Sequence, residues 1–503
     1  MRRLVAFALA LASLTCAASA AAQGTGFDAV LKPLRSGGEV AAIEVQSELR
    51  AQPGTPLVLN APGVYAAVEG VADRVQDLQV TDAAGPVALT TSDDPAAPGG
   101  FPYYRHWTAQ RGVTYPVTVR YRSLVQPAGS RNGPPFGIRT SGGGVSGAGS
   151  GFLVLPEKFG KAPLKVRWDL SDMPQGSFAV TSFGEGAFEL VDDPAQLRQG
   201  WYLAGPAQRF PTAGDAGGFS AAWLGAPPWD AQREMAWAAQ YYAWLGKEFA
   251  YLDPPPPYRV FMRFLETPPY GGGTALRNSF MLSRGPGAYD PKAEGPRGTF
   301  AHEMIHQWVG GIESPGAVGV SSWFSEGLTT YYTAVLPLRG GFTSLDEYAR
   351  RLDAMAEGYW GSPAREWSAE RIARAGFGQE NIRHVPYNRT ALYFADLDAR
   401  IRARSGGTRT LDDVLQPLFR GRERGMRFDH AAWKATVVRE LGPEAGEEFE
   451  RIVLGGGMFT PAANAFGPCF RLAPKTYKAE AGELAGYGWE RVRGVPEAKC
   501  RRW

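Results

Sequence analysis

Histidine occurs five times in this chain of 503 residues, and two of the five stand four positions apart in Thr299-Phe300-Ala301-His302-Glu303-Met304-Ile305-His306-Gln307-Trp308. No other feature constrains the fold as much. On a helix, positions i and i+4 lie one above the other on one face, so two imidazoles reach one metal ion if this stretch is helical. No Pro or Gly interrupts 299–309, which predicts a helix there. Glu303 then sits at the rim of that face, within reach of a water on the metal. A catalytic zinc site takes a third protein ligand and keeps one position open. A second segment must therefore pack against the first. The candidate ligand is Glu326 in Ser322-Trp323-Phe324-Ser325-Glu326-Gly327-Leu328-Thr329-Thr330-Tyr331-Tyr332, twenty residues after His306. The Gly-rich connection 310–319 lets a second helix turn back. A third histidine shortly after His306 is the competing pattern, but the remaining histidines are His106, His384 and His430. The bland alternative is a helix with two surface histidines. We predict one zinc per chain, held by His302, His306 and Glu326.

The rest of the chain sets the frame for this motif. Arg2 and Arg3, an apolar stretch over 4–14, and Ala18-Ser19-Ala20 or Ala20-Ala21-Ala22 fit a cleavable export leader over 1–22. The apolar run is too short to span ~30 Å of hydrocarbon, and no later stretch reaches eighteen apolar residues. The expectation is an exported protein, periplasmic or extracellular, without a stable membrane span. Cys469 and Cys500 are then expected to pair. With 53 Lys+Arg against 50 Asp+Glu, the chain lacks the charge of a nucleic-acid binder. Its 14 Trp, 20 Tyr and 26 Phe exclude a disordered polymer.

We expect a multidomain α+β protein. Residues 23–205 read as a β-rich, sandwich-like domain, because Val117, Val119 and Tyr121 alternate with polar residues, as do Val166, Trp168 and Leu170. The run 141–151, almost all Gly, Ser, Ala and Val, reads as a flexible loop. Asp230 caps a predicted helix to about 251, and 260–265 reads as a buried strand. Residues 206–335 form the expected catalytic domain. Residues 336–465 form a helical domain completing the site, with helix starts at Ser344 and Thr410 and helical runs over 431–441 and 446–454. Residues 466–503 remain as a C-terminal extension.

These motifs resemble a gluzincin metallopeptidase, in particular the glycyl aminopeptidase family, related to the aminopeptidase N family. The resemblance rests on the two zinc segments, on Gly272-Gly273-Thr274-Ala275-Leu276-Arg277-Asn278-Ser279, and on Val385-Pro386-Tyr387-Asn388-Arg389-Thr390-Ala391-Leu392. Ser405-Gly406-Gly407-Thr408-Arg409-Thr410-Leu411 adds a further match. Together these cover about half the chain. The resemblance implies a thermolysin-like α/β domain that hydrolyses peptide bonds with a zinc-activated water, Glu303 as general base and Tyr387 as oxyanion donor. His384 is the rival donor, and Pro386 argues against a helix carrying both. An edge strand over 279–283 is expected to hold extended substrate. Arg277 is a salt-bridged residue or a substrate contact. Two departures stand out. The family's C-terminal PDZ domain has too few residues here. The glutamate that meets a free amine in relatives is replaced by Ala275, with Glu266 as an alternative anchor. The partner is a peptide or protein substrate, with no nucleic acid and with the oligomeric state open. The alternative is an inert zinc scaffold that binds a cell-envelope polymer.

Overall fold

The computed structural model describes residues 24–131, 133–213, 218–252, 254–314, 319–479 and 482–503. The expected leader lies outside them. The chain is mixed α+β, with β-rich N-terminal units and a helical C-terminal region. A seven-stranded sheet runs in the order Phe188–Asp192, Ala162–Trp168, Gly26–Ser36, Glu39–Arg50, Val117–Leu124, Val75–Asp82 and Gly85–Pro86. A second sheet, built on Val58–Tyr65 and Tyr103–Ala109, shares its core, which includes Leu31, Val45, Leu59, Trp107 and Val119. The predicted alternation holds: Val117, Val119 and Tyr121 are buried and their neighbours are not.

The expected flexible loop at 141–151 is a correction. Strands Arg139–Ser141 and Gly144–Ala148 and the turn Gly149–Gly151 occupy it, and 144–151 is buried throughout. The glycines there allow backbones to close in on each other. A Cβ on Gly147 would lie 2.7 Å from the Ile138 Cα, and one on Gly149 2.2 Å from the Leu197 carbonyl oxygen.

The sheet containing Gly144–Ala148 and Trp201–Gly205 packs on the next sheet through Ala148, Trp201, Leu203, Leu224, Phe261 and Met281. Arg263 ties the two units together. Its buried guanidinium donates to the carbonyls of Gly137 and Ser146, both at 2.9 Å, to that of Pro135 at 3.1 Å, and to Ser283 Oγ at 3.0 Å.

That next sheet has the order Gln208–Phe210, Phe219–Leu224, Tyr258–Phe264, Ser279–Arg284, Gly273–Leu276, and its three inner strands are parallel. Asp230 caps the helix Ala231–Phe249 as predicted, accepting from the Arg233 N–H at 3.1 Å. The predicted strand at 279–283 forms but is not the edge. Gly273–Leu276 pairs with it antiparallel and takes the edge position.

Helices Arg297–Val309, Ser322–Arg339, Leu345–Trp360 and Val385–Arg404 surround one aromatic core with Trp308, Trp323, Phe394 and Trp433. Both predicted caps form at Ser344 and Thr410. The predicted run 446–454 is the end of Pro443–Glu448 followed by a π-helical turn, Phe449–Leu454. At the C-terminus the hairpin Phe470–Ala479 and Gly482–Arg491 leads to the helix Glu497–Arg501. Cys469 and Cys500 are disulfide-bonded, with Cα atoms 5.5 Å apart. Among the described residues no helix is long and apolar enough to cross a membrane.

Candidate zinc centre and substrate cleft

The helix Arg297–Val309 buries Phe300, Ala301, Met304, Ile305 and Trp308 and turns His302 and His306 toward a cleft. Gly310, with φ +56°, ends it. The helix Ser322–Arg339 then packs alongside and brings in Glu326. His302 Nε2 lies 3.2 Å from Glu326 Oε2, His306 Nε2 lies 3.3 Å from the same oxygen, and the two Nε2 atoms are 3.3 Å apart. A tetrahedral ion with ligand bonds of ~2.0–2.1 Å sets its ligand atoms about 3.3 Å apart. Two imidazole nitrogens and a carboxylate oxygen at that spacing are a zinc donor set.

The second nitrogen of each imidazole has its own partner. His306 Nδ1 faces Thr329 Oγ1 at 3.3 Å and His302 Nδ1 faces Thr333 Oγ1 at 3.5 Å. Thr333 donates its own proton to the Thr329 carbonyl at 2.7 Å, so its oxygen is free to accept. Both hydroxyls come from the Glu326 helix, so one element would supply a ligand and orient the other two.

Glu303 is buried, and that burial raises its pKa while His302 and His306 oppose the shift. The edge strand presses on it: a Cβ at Gly273 would sit 2.6 Å from Glu303 Oε1. Tyr387 stacks on His302, with ring centroids 6.1 Å apart and planes at 12°. Burial first, then Glu326, holds its hydroxyl protonated far above neutral pH.

The expectation that Pro386 argues against a helix carrying both residues is corrected. Val385–Arg404 is helical with Pro386 in its first turn. A first-turn residue has no intrahelical N–H bond to lose. His384 and Tyr387 therefore share one turn, with ring centroids 4.9 Å apart. Burial, with Arg383 beside it, pushes His384 down to about 4, so it is neutral at pH 7. Arg383 explains its placement. The guanidinium donates to Tyr387 Oη at 3.0 Å and to His384 Nε2 at 3.0 Å. Sequence reasoning missed Arg383; its i−4 spacing from Tyr387 was the signal, hidden by the reading of Pro386.

The remaining predicted residues separate. Ala275 lies on the edge strand and lines the cleft. Arg277 is salt-bridged to Asp192 at 3.0 Å. Glu266 is exposed and does not line the cleft, so it is no substitute amine anchor.

The fold is that of the M1 aminopeptidase-like zinc metallopeptidases. An aminopeptidase N family protein from Idiomarina loihiensis superposes with TM-score 0.70 over 91% of this chain and 80% of its own, at 15% identity. The M1 zinc metallopeptidase from Deinococcus radiodurans gives 0.51 over 87% and 95%, at 16% identity. Yeast LTA4 hydrolase in complex with bestatin gives 0.52 over 87% and 68%, at 13%. Within that fold, residues 296–378 match the family model of M61 glycyl aminopeptidase. The chain thus resembles the glycyl aminopeptidases in the segment that carries His302, Glu303, His306 and Glu326. No curated protein matches the chain.

Proposed function

We propose that the protein is an exported zinc-dependent peptidase, working in the periplasm or outside the cell. The observation that carries this reading is the convergence of His302, His306 and Glu326 at zinc-ligand spacing, with Glu303 and Tyr387 beside them. The match to a peptidase family over 296–378 supports it. So does the fold, since a variant of the Deinococcus radiodurans enzyme is bound to a Tyr-Ser-Ala substrate. Zinc, when bound, lowers the pKa of a coordinated water toward ~7 and polarises a carbonyl. This chain supplies the rest. Glu303, held in a dry position, takes a proton from the attacking water and returns it to the leaving amine. Tyr387 donates its hydroxyl proton to the developing oxyanion. Arg383 donates to Tyr387 Oη, so the Tyr387 proton is directed away from the guanidinium, on the side of Glu326. The edge strand Gly273–Leu276 lines the cleft, where an extended peptide would lie alongside it.

Ala275 places no carboxylate where a free amine would sit, so preference for a free N-terminus is weakened and internal bonds are substrates. Acetylating a good peptide substrate should change kcat/KM by less than a hundredfold, about 2.7 kcal/mol at 1.36 kcal/mol per tenfold. A larger loss would reveal an amine anchor. Glu303→Gln should keep one zinc per chain and lose peptidase activity, whereas His306→Ala should lose the metal. Full zinc in His306→Ala, or full activity in Glu303→Gln, would overturn the assignment. N-terminal sequencing of the secreted protein tests export.

A further inference from the structure

Four arginines line the cleft: Arg131, Arg277, Arg284 and Arg383. Arg277 has Asp192. The other three make no ion pair with a carboxylate among the described residues; their partners are carbonyls, hydroxyls and His384. Arg383 is committed to Tyr387 and His384. Arg131 and Arg284 each bond backbone near the Gly273 end of the edge strand. Arg284 closes the strand Ser279–Arg284 and donates to the Gly271 carbonyl and to Thr299 Oγ1, both at 3.3 Å. Arg131 donates through Nε to the Gly133 carbonyl at 3.1 Å and through Nη2 to the Phe377 carbonyl. Gly133 packs against Gly271, its hypothetical Cβ 3.8 Å from the Gly271 Cα. Two guanidinium groups from sequence-distant units therefore flank one stretch of backbone.

The acids of the cleft do not neutralise them. Glu303 and Glu326 belong to the candidate zinc centre, and Glu380, three residues after the Phe377 whose carbonyl Arg131 bonds, makes no ion pair with either arginine among the described residues. Arg284 is half-buried, and that burial disfavours its charge, with Glu303 the opposing influence. A guanidinium in such a place, bonded only to neutral acceptors at long range, retains donors for a charged acceptor. Carboxylates are the acceptors that match its planar fork.

Position follows from the edge strand. Gly273 abuts Glu303, so the bond being cleaved lies beside Gly273–Ala275. At ~3.3 Å per residue, an extended substrate running along the strand reaches Gly271 within two to four residues of that bond.

We propose that Arg131 and Arg284 form a carboxylate subsite, and that this cleft selects peptides bearing a carboxylate two to four residues from the cleaved bond. An acidic side chain and a C-terminus supply the same chemistry. The proposal rests on the peptidase reading of the zinc centre.

The test is direct binding to zinc-loaded Glu303→Gln protein by calorimetry, with peptide pairs that differ only by Glu against Gln at one position, or by a free against an amidated C-terminus. At least one pair should show about tenfold tighter binding of the carboxylate member. The pair that carries the ratio identifies the source. In Arg284→Gln and in Arg131→Gln the ratio should fall to within about twofold of unity, while Arg284→Lys retains part of it. Raising ionic strength should shrink it. Equal affinity within every pair overturns the subsite, as does a ratio that survives both substitutions, or no peptide binding at all. Failure of the peptidase reading looks different: the zinc-loaded wild-type protein cleaves none of the peptides, yet the binding ratio and its loss in the arginine variants persist.

Discussion

Replacing Gly273 by alanine should injure the chemistry while sparing the metal. The backbone at this position is not in the left-handed region, so alanine is conformationally acceptable. What it lacks is room. The new methyl carbon would lie 2.6 Å from Glu303 Oε1, 2.6 Å from Thr299 Cγ2 and 3.0 Å from Glu303 Cγ, where ordinary contact begins at 3.4 Å. About 0.8 Å of relief is needed. Thr299 is β-branched on a helix and stiff, so the Glu303 side chain takes up most of the movement. Overpacking of this kind costs about 1–3 kcal/mol in stability. Displacing a reacting group by ~1 Å costs on the order of 10²-fold in rate. The expected result is kcat down about 10- to 100-fold, KM changed little, and one zinc per chain retained, because no ligand touches residue 273. Peptide hydrolysis at saturating substrate with metal analysis on the same preparation decides it. A kcat within threefold of wild type would refute the argument that the edge strand sets the position of the base. Loss of zinc would place the damage elsewhere.

Tyr387→Phe keeps the ring stacked on His302 and removes one oxyanion donor, so kcat should fall ~10²–10³ with little change in KM. Arg383→Met removes the 3.0 Å donor to Tyr387; kcat should fall about tenfold, and the double variant with Tyr387→Phe should be no worse than Tyr387→Phe alone, because the two act as a unit. Arg263→Met leaves three buried carbonyls without their donor and, at about 1–3 kcal/mol per unpaired group, should lower stability by roughly 3 kcal/mol or more in urea unfolding. His106 lies between Asp94 and Glu157; burial lowers its pKa, but the two acids outweigh that and raise it overall. A raised folded pKa gives stability that is complete below the ordinary value of ~6.5 and is lost as pH rises through the folded pKa. His106→Gln should therefore destabilise the fold more at pH 5.5 than at pH 9, by about 1 kcal/mol or less in urea unfolding.

The metal centre was legible because its information is local. The spacing from His302 to His306 is a helical repeat, and no helix breaker intervenes. Glu326 needed only a turn and a second helix. Tyr387 was legible only through resemblance, since nothing in Val385-Pro386-Tyr387 says which tertiary neighbour it meets. The same triplet misleads on structure: a proline in sequence looks like a breaker, but in a first helical turn it sacrifices nothing. The run 141–151 failed for a related reason. Glycine in a flexible loop and glycine under a crossing backbone have the same composition, and only the neighbours at Ile138, Phe136 and Leu197 tell them apart. Arg131 and Arg284 left no signal at all, and that of Arg383, its i−4 spacing from Tyr387, was hidden by Pro386. They belong to three separate segments, and their shared trait, the lack of an acidic partner, exists only after folding. Glu266 shows the converse, a residue close in sequence to the edge strand that folding leaves in solvent.

Two glycines set how closely the catalytic groups approach the ligands. Gly273 is the first, admitting Glu303 against the edge strand. Gly327, immediately after the ligand Glu326, is the second. Glycine inside a helix costs about 1 kcal/mol relative to alanine, so its place in Ser322–Arg339 calls for a packing reason. A Cβ at Gly327 would fall 1.7 Å from Thr390 Oγ1 and 2.8 Å from Thr390 Cβ, on the helix that carries Tyr387. Thr390 in turn donates to the Trp323 carbonyl at 2.8 Å, stitching the two helices together at that level. Thr390 and Tyr387 lie three residues apart on one helix, so a side chain at 327 would push the oxyanion donor away from Glu326 as a rigid body. The Glu326 helix is thus held close to the Tyr387 helix at the residue next to Glu326, an approach that a single added methyl group would prevent.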